Sequence, residues 1–281
     1  MIPWKRIGVA LKSGQAGVEP LLRRIVAKAD EHGLELVLDR EAALEETAAR
    51  SDLLIVLGGD GTVLAAARAI GERDVAILGI NVGRLGFLAD VSPDEVDRAL
   101  AAIFAGDYRI QERSRLAVTC IKQDLEPDSE PPADLVLNDA VITKGTALAR
   151  LIELEARIDQ KVIATYRSDG LILATPTGST AYNLSAGGPL IDPTVPAMII
   201  SPICPHTLTQ RPLVLPDSVQ VEVRLLPREE ATLTLDGQVG TSLQPGDAVR
   251  VTRAARPVRF VTAPDHDPFE TLRKKLGWGS R

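Results

Sequence analysis

Short apolar runs alternate with amphipathic stretches along the chain as far as Ile110. Arg6–Leu11 predicts a strand. Leu21, Leu22, Ile25, Val26 and Ala29 fall on one face of a helix over Val18–His32, with Gly33 as its natural stop. Leu34–Leu38 predicts a second strand, and the Ala- and Glu-rich Glu41–Ala49 a second helix. Leu53–Leu57 is apolar without interruption, as a strand buried on both faces should be. Val63–Ile70 then reads as a helix and Val75–Ile80 as a strand. Ser92-Pro93-Asp94-Glu95 has the form of a capping box with Pro in the first turn. This rhythm predicts a parallel sheet with helices on both faces, a doubly wound α/β domain.

From Gln111 onward the period shortens toward two. Arg115–Ile121, Leu135–Leu137, Leu151–Ile158, Lys161–Tyr166, Leu171–Ala174, Ala197–Ser201 and Val219–Leu225 are all strand candidates. Thr232–Leu235 runs into Asp236-Gly237, a hairpin signal, and Pro245-Gly246-Asp247 marks another turn. Asp124–Pro132 is an acidic, Pro-containing loop. A helix over Pro268–Leu276 closes the pattern. The expected organisation is an α/β domain over 1–112, a β-rich, sandwich-like domain over 113–262, and a segment over 263–281 that packs back on the first domain.

Composition changes this picture little. The 281 residues are 45% hydrophobic and 25% charged, in the range of a water-soluble globular protein. Only 3% are aromatic, so the core must come from Leu, Ile, Val and Ala. A net charge of −6 argues against nucleic acid as a partner. No apolar run reaches the ~20 residues needed to cross a bilayer, and residues 1–11 do not read as a signal peptide. Cys120 and Cys204 stand apart without metal-ligand spacing, which fits a reducing cytoplasm.

Chemistry first shows at Gly58-Gly59-Asp60-Gly61-Thr62, between a strand and a helix. Three glycines let the backbone approach a ligand closely, Thr62 is placed to cap the helix, and a helix N-terminus favours phosphate. Asp60 is the one carboxylate of that turn, where a group that orients a hydroxyl toward a phosphoryl centre belongs. The bland alternative is a tight turn with a solvated Asp. Neither a G-x-x-x-x-G-K loop followed by Ser or Thr nor a G-x-G-x-x-G opening a helix occurs, which removes P-loop ATPases and ordinary dinucleotide-binding dehydrogenases. Gly83–Phe87 follows a strand on the same sheet edge, where open α/β sheets bind ligands.

A second stretch, Ser168-Asp169-Gly170 and then Thr175–Gly188, gathers small hydroxylated residues and glycines suited to the sugar, phosphate and amide groups of a nucleotide. Asn138-Asp139, after the apolar Leu135–Leu137, is by itself as readily a plain turn. His32 ends a helix, His206 lies in a loop where a structural hydrogen bond is the better reading, and His266 sits among acidic residues. Glu153, Glu155 and Arg157 resemble a polar strand face more than a catalytic pair.

Taken in order and spacing, GGDGT at 58–62, NVGRLGFL at 81–88, ND at 138–139, SDGLILATPTGSTAYNLSAGGPL at 168–190 and TLDGQ at 234–238 resemble the NAD kinase family. GGDG alone is shared with lipid and sugar kinases. The resemblance implies an enzyme that moves the γ-phosphate of ATP, or of polyphosphate, to the 2′-hydroxyl of NAD. Magnesium would accompany the triphosphate, with no metal cage of the protein's own.

The same resemblance implies roles for single residues. Asp60 is the catalytic carboxylate, and Gly61 touches substrate beside it. Gly58, Gly59, Gly61 and Thr62 serve phosphate. Asn138 and Asp139 hold the adenosine ribose, although the family often has Glu in place of Asp139. Asp169 faces the nicotinamide amide. Thr177, Ser179, Thr180, Ala181, Tyr182, Asn183, Leu184 and Ser185 line the pocket, completed by Phe87, Gln238, Arg150 and Arg167. The segment around Lys12–Gly17 lacks the Asn-Pro that many members carry. A homodimer or homotetramer is implied as well. Two alternatives stay open on the residues alone: a lipid or sugar kinase sharing the GGDG turn, and an NAD-binding sensor without turnover.

Overall fold

The computed structural model describes residues 4–11, 17–38, 43–83, 86–89, 91–124, 131–145, 150–227, 229–264 and 267–278. The chain divides into two compact units, one of residues 1–112 with 258–281 and one of residues 113–257.

The first unit begins β1 (Arg6–Leu11), α1 (Val18–Glu31), β2 (Glu35–Leu38), α2 (Leu44–Ala49), β3 (Leu53–Gly58), α3 (Asp60–Ile70), β4 (Ala76–Asn81), α4 (Val96–Phe104) and β5 (Arg109–Arg113). In β3 and β4 all six positions are buried, because helices cover both faces of the sheet. One face packs Leu53, Ile55, Leu57, Leu78 and Ile80 against Leu21, Leu22 and Ile25 of α1 and Leu100, Ile103 and Phe104 of α4. α2 and α3 pack on the sheet's other side. Helix α1 stops where the chain reverses through Gly33, at φ 65°. His32 closes α1, its Nδ1 2.9 Å from the Lys28 carbonyl.

The second unit runs β6 (Leu116–Ile121), β7 (Asp134–Val136), β8 (Asp139–Lys144), β9 (Ile152–Ile158), β10 (Lys161–Ser168), β11 (Gly170–Ala174), α5 (Tyr182–Ser185), β12 (Ala197–Ile203), β13 (Leu213–Pro216), β14 (Val221–Leu225), β15 (Ala231–Leu235), β16 (Val239–Leu243) and β17 (Ala248–Arg253). The chain then returns to the first unit with β18 (Val258–Thr262) and α6 (Pro268–Leu276).

The first sheet has the order β2-β1-β3-β4-β18-β5, and β2, β1, β3, β4 and β18 pair in parallel. Strand β18 was expected with the second domain. Its register on β4, Arg259 opposite Ala76 and Phe260 opposite Ile77, makes it part of the first sheet. Sequence order reverses at β1 and β3, the switch point where open sheets leave a crevice at the strands' carboxyl ends.

The second unit is a sandwich of two antiparallel six-stranded sheets, β10-β9-β14-β17-β6-β7 and β13-β12-β11-β8-β15-β16. Alternate residues interdigitate between them, among them Leu154, Val223 and Val249 from one sheet and Ile142, Leu173, Ile200 and Leu233 from the other. The outer face of the second sheet is also covered: Val141, Ile172 and Ile199 pack on Ala186 and Ile191. Strand β11 is therefore apolar at every position rather than alternating, and the hydroxyl-rich run after it is pinned across the sheet. Arg115 is buried with its guanidinium on the Arg256 carbonyl, at 3.1 Å from Nε and 3.0 Å from Nη2.

Candidate active site

In the first unit the candidate chemistry collects at the carboxyl end of β3. The helix there starts earlier than Val63. Gly59, in extended conformation, is the N-cap, and α3 begins at Asp60. Thr62 is therefore not the cap; it lies inside the first turn, with its hydroxyl packed where a Gly58 side chain would stand. The Gly59 carbonyl accepts from Thr62 N at 2.9 Å and from Val63 N at 3.2 Å. The second predicted cap is also only half formed. Glu95 Oε2 accepts from Ser92 N at 3.1 Å, but Ser92 gives its hydroxyl to that same carboxylate, and α4 starts at Val96.

Asp60 is half-buried and held from the loop after β4. Its Oδ2 accepts from Phe87 N and its Oδ1 from Leu88 N, both at 2.9 Å. A Cβ on Gly86 would collide with Oδ1, so only glycine lets this loop close on the carboxylate. The loop's base is tied by Val82 N to the Gly58 carbonyl at 3.2 Å and by Gly83 N to Asn81 Oδ1 at 2.9 Å. Lys275 Nζ of α6 stands 4.4 Å from the Phe87 ring centroid, a cation–π contact. Gly61 is exposed at the helix start. The 12–16 loop, part of the Lys12–Gly17 segment, lies outside the described residues, as does His266.

In the second unit three segments meet. Asp139 opens β8 and is buried, with Asn138 half-buried before it. The Asp236 carboxylate, from the β15–β16 turn, accepts from Leu137 N at 3.0 Å, Asn138 N at 2.7 Å and Asp139 N at 3.2 Å. From the hydroxyl-rich run, Thr175 Oγ1 donates to the Leu137 carbonyl at 2.6 Å and Thr175 N to the Asn138 carbonyl at 2.9 Å. Gly178 crosses so near that carbonyl that a Cβ would overlap it. Burial first, and then the neighbouring Asp236 carboxylate, push the Asp139 carboxyl up to about 7, with an N–H from Tyr182 partly offsetting them.

The run over 175–185 divides. Thr180 and Ala181 are half-buried, and Tyr182 and Ser185 are exposed. Thr177 is buried, and its Oγ1 has no hydrogen-bond partner among the described residues. Ser179 and Asn183 do not line an open surface by their side chains. Ser179 Oγ bonds both polar groups of the Ile191 backbone. Asn183 Nδ2 donates to the Ser179 and Pro189 carbonyls, and its Oδ1 accepts from Ser201 Oγ at 2.6 Å. Both are enclosed and act as internal clamps that shape the run.

Other expected contacts are more open. Asp169 pairs with Lys144 Nζ at 2.7 Å. Arg167 is exposed on β10, 3.9 Å from Glu153, and Arg150 and Gln238 are exposed too. His206 donates its backbone N–H to the Arg167 carbonyl at 2.9 Å. Sequence reasoning missed Lys144, which carries no local signal, and Asp236, whose Asp-Gly context reads as a turn and hides its side chain. Among the described residues no three His, Cys, Asp or Glu side chains converge on a metal position.

An open parallel sheet with a glycine turn at its switch point, followed by a sandwich with a hydroxyl-rich clasp, is a two-domain architecture suited to binding a nucleotide. Residues 19–108 match the family model of the ATP-NAD kinase N-terminal domain, and residues 137–263 that of the C-terminal domain. An NAD kinase of Geobacter metallireducens is 48% identical over 260 residues, covering 92% of this chain and 90% of that one. One from Syntrophotalea carbinolica is 41% identical over 99% of this chain and 100% of its own. Yeast NADH kinase, solved with NADH, superposes with a TM-score of 0.91 at 26% identity, over 99% of this chain and 89% of that one. An Archaeoglobus fulgidus NAD kinase solved with ATP gives 0.76, also at 26% identity, over 97% of each chain. The chain belongs to the NAD kinase family.

Proposed function

We propose that the protein transfers the γ-phosphate of ATP to the 2′-hydroxyl of the adenosine ribose of NAD, giving NADP, and that Asp60 orients that hydroxyl. The observation that carries the assignment is the grip on Asp60, whose two oxygens each take one backbone N–H from consecutive residues. A carboxylate has about four lone-pair sites, so two N–H donors fix its orientation and leave room for a hydroxyl. Phosphoryl transfer passes through a loose transition state in which the protein mainly positions the partners and stabilises charge. A fixed carboxylate at a helix N-terminus suits that task, and it takes the hydroxyl proton late.

ATP enters as its magnesium complex, the metal arriving as part of the substrate. The start of α3, with Gly58, Gly59, Gly61 and Thr62, receives phosphate oxygens. Asn138 and Asp139 bind the adenosine ribose, and Asp169 the nicotinamide amide. Thr180 to Ser185, Thr177, Phe87, Gln238, Arg150 and Arg167 complete recognition, with Ser179 and Asn183 acting through the shape of the run. The enzyme works in the cytoplasm; no helix among the described residues is long and apolar enough to cross a membrane. It assembles as a homodimer or homotetramer.

The test is a coupled assay with NAD, ATP and magnesium, detecting NADP through an NADP-specific dehydrogenase. The wild type should form NADP. The Asp60→Asn variant should lose ~10²–10⁴-fold in turnover while still binding NAD by calorimetry. Near-normal turnover in that variant would remove Asp60 from the mechanism. NAD binding without NADP from the wild type would point to a sensor.

A further inference from the structure

We infer that Asp236, which is not among the residues expected to touch NAD, is a positioning residue that sets the turn presenting Asn138 and Asp139 to the ribose. The inference rests on the reading of those two residues as the ribose-binding pair.

All six backbone polar groups of Leu137–Asp139 are committed within the protein. The three N–H groups go to the Asp236 carboxylate. The Leu137 carbonyl goes to Thr175 Oγ1, the Asn138 carbonyl to Thr175 N, and the Asp139 carbonyl to Asp236 N at 2.9 Å. The turn therefore has no main-chain N–H left for a ligand, and each of its carbonyls is already tied to a distant segment. What it offers are the two side chains. Asp236 reaches this position from a left-handed backbone conformation, φ 49°, in the β15–β16 turn, and is buried there. A plain Asp-Gly turn does not need to bury its carboxylate against a segment 97 residues away in the chain.

Asp236 also acts on Asp139 by charge. Among the described residues, the groups that act on the Asp139 carboxyl are the Asp236 carboxylate and the Tyr182 N–H of α5, and its register partner on β11 is the uncharged Ala174. Desolvation and the Asp236 charge make the carboxyl keep its proton to about pH 7. A protonated carboxyl donates a hydrogen bond to a ribose oxygen, whereas an ionised one only accepts. Asp236 thus fixes where Asp139 stands and adds its charge to the burial that decides which hydrogen bond Asp139 makes.

The experiment measures kcat, KM for NAD and KM for ATP from mildly acidic to mildly alkaline pH, for the wild type and for Asp236→Asn, Asp139→Asn and Asn138→Ala. In Asp236→Asn the KM for NAD should rise about tenfold to a hundredfold, the effect of weakening charge-assisted hydrogen bonds. KM for ATP should stay near its wild-type value, and the pH dependence of the NAD term should move to lower pH. A folded Asp236→Asn enzyme with unchanged KM for NAD overturns the inference. So does one with lowered thermal stability but an unmoved pH profile, since that is a purely structural role. Should Asp236→Asn fail to fold, Asp139→Asn decides: it should flatten the pH dependence of KM for NAD, and a retained wild-type profile overturns the inference. An unchanged KM for NAD in Asn138→Ala would show instead that the ribose-pair reading is wrong, and the inference falls with it.

Discussion

Asp60 is held by a loop that only a glycine allows near it. Replacing Gly86 with Ala places a methyl group against Asp60 Oδ1, so the loop or the carboxylate must move. Turnover should fall about a hundredfold, the cost of a misplacement near 1 Å, with little change in the thermal midpoint; wild-type kcat in this variant would show that the grip is unimportant. Asp139 predicts a stability effect of definite sign. Its carboxyl titrates at about 7 in the folded chain but near the ordinary 3.8 once unfolded, so between those values the folded chain holds the extra proton. Its contribution to stability therefore falls as pH rises through that window and levels off above about 7. Asp139→Asn, which cannot ionise, should match the wild type near pH 4 and gain on it steadily toward pH 7 in thermal unfolding; a pH-independent difference would contradict the shift. Asp60 stood out in the sequence because its chemistry is written in adjacent glycines. Asp236 and Lys144 did not, because their partners lie elsewhere in the chain.

Elements were legible where periodicity is strong and less so where context decides. The Leu53–Leu57 run read as a buried central strand, and β3 is one. The start of α3 was placed too late, since glycines argue against helix although Gly59 is the cap here. Strand β18, at the far end of the chain from β4, has no local mark of the sheet it joins. It pairs with β4 and neighbours β5, so a chain stopped after Pro257 loses that strand and α6 from the first unit. That chain should fail to fold its first unit, shown by lost helical circular dichroism and rapid proteolysis of residues 1–112. Retained helical signal and protease resistance would show that β18 is dispensable.

Association belongs to the scale of the whole molecule. Val162 and Ile163 on edge strand β10, and Leu213 and Val214 on edge strand β13, leave apolar side chains in solvent. Such edges call for a cover, which supports the proposed homo-oligomer. Changing Val162 and Val214 together to Lys should lower the mass seen by light scattering to that of one 30.1 kDa chain; an unchanged mass would place the interface elsewhere.

By itself the sequence determined the α/β and β-rich character of the two parts, through hydrophobic periods of 3.6 and 2, and the family, through the order and spacing of its glycine- and hydroxyl-rich motifs. These are properties of neighbours along the chain. The tertiary structure alone decided that Phe87 and Leu88 hold Asp60, that Asp236 and Thr175 hold the Asn138 turn, that Asn183 faces inward, and that β18 completes the first sheet. Each of these depends on polar groups meeting, most of them across long stretches of chain. A local pattern records what a segment prefers, whereas which distant donor satisfies which acceptor is settled only when the chain has packed.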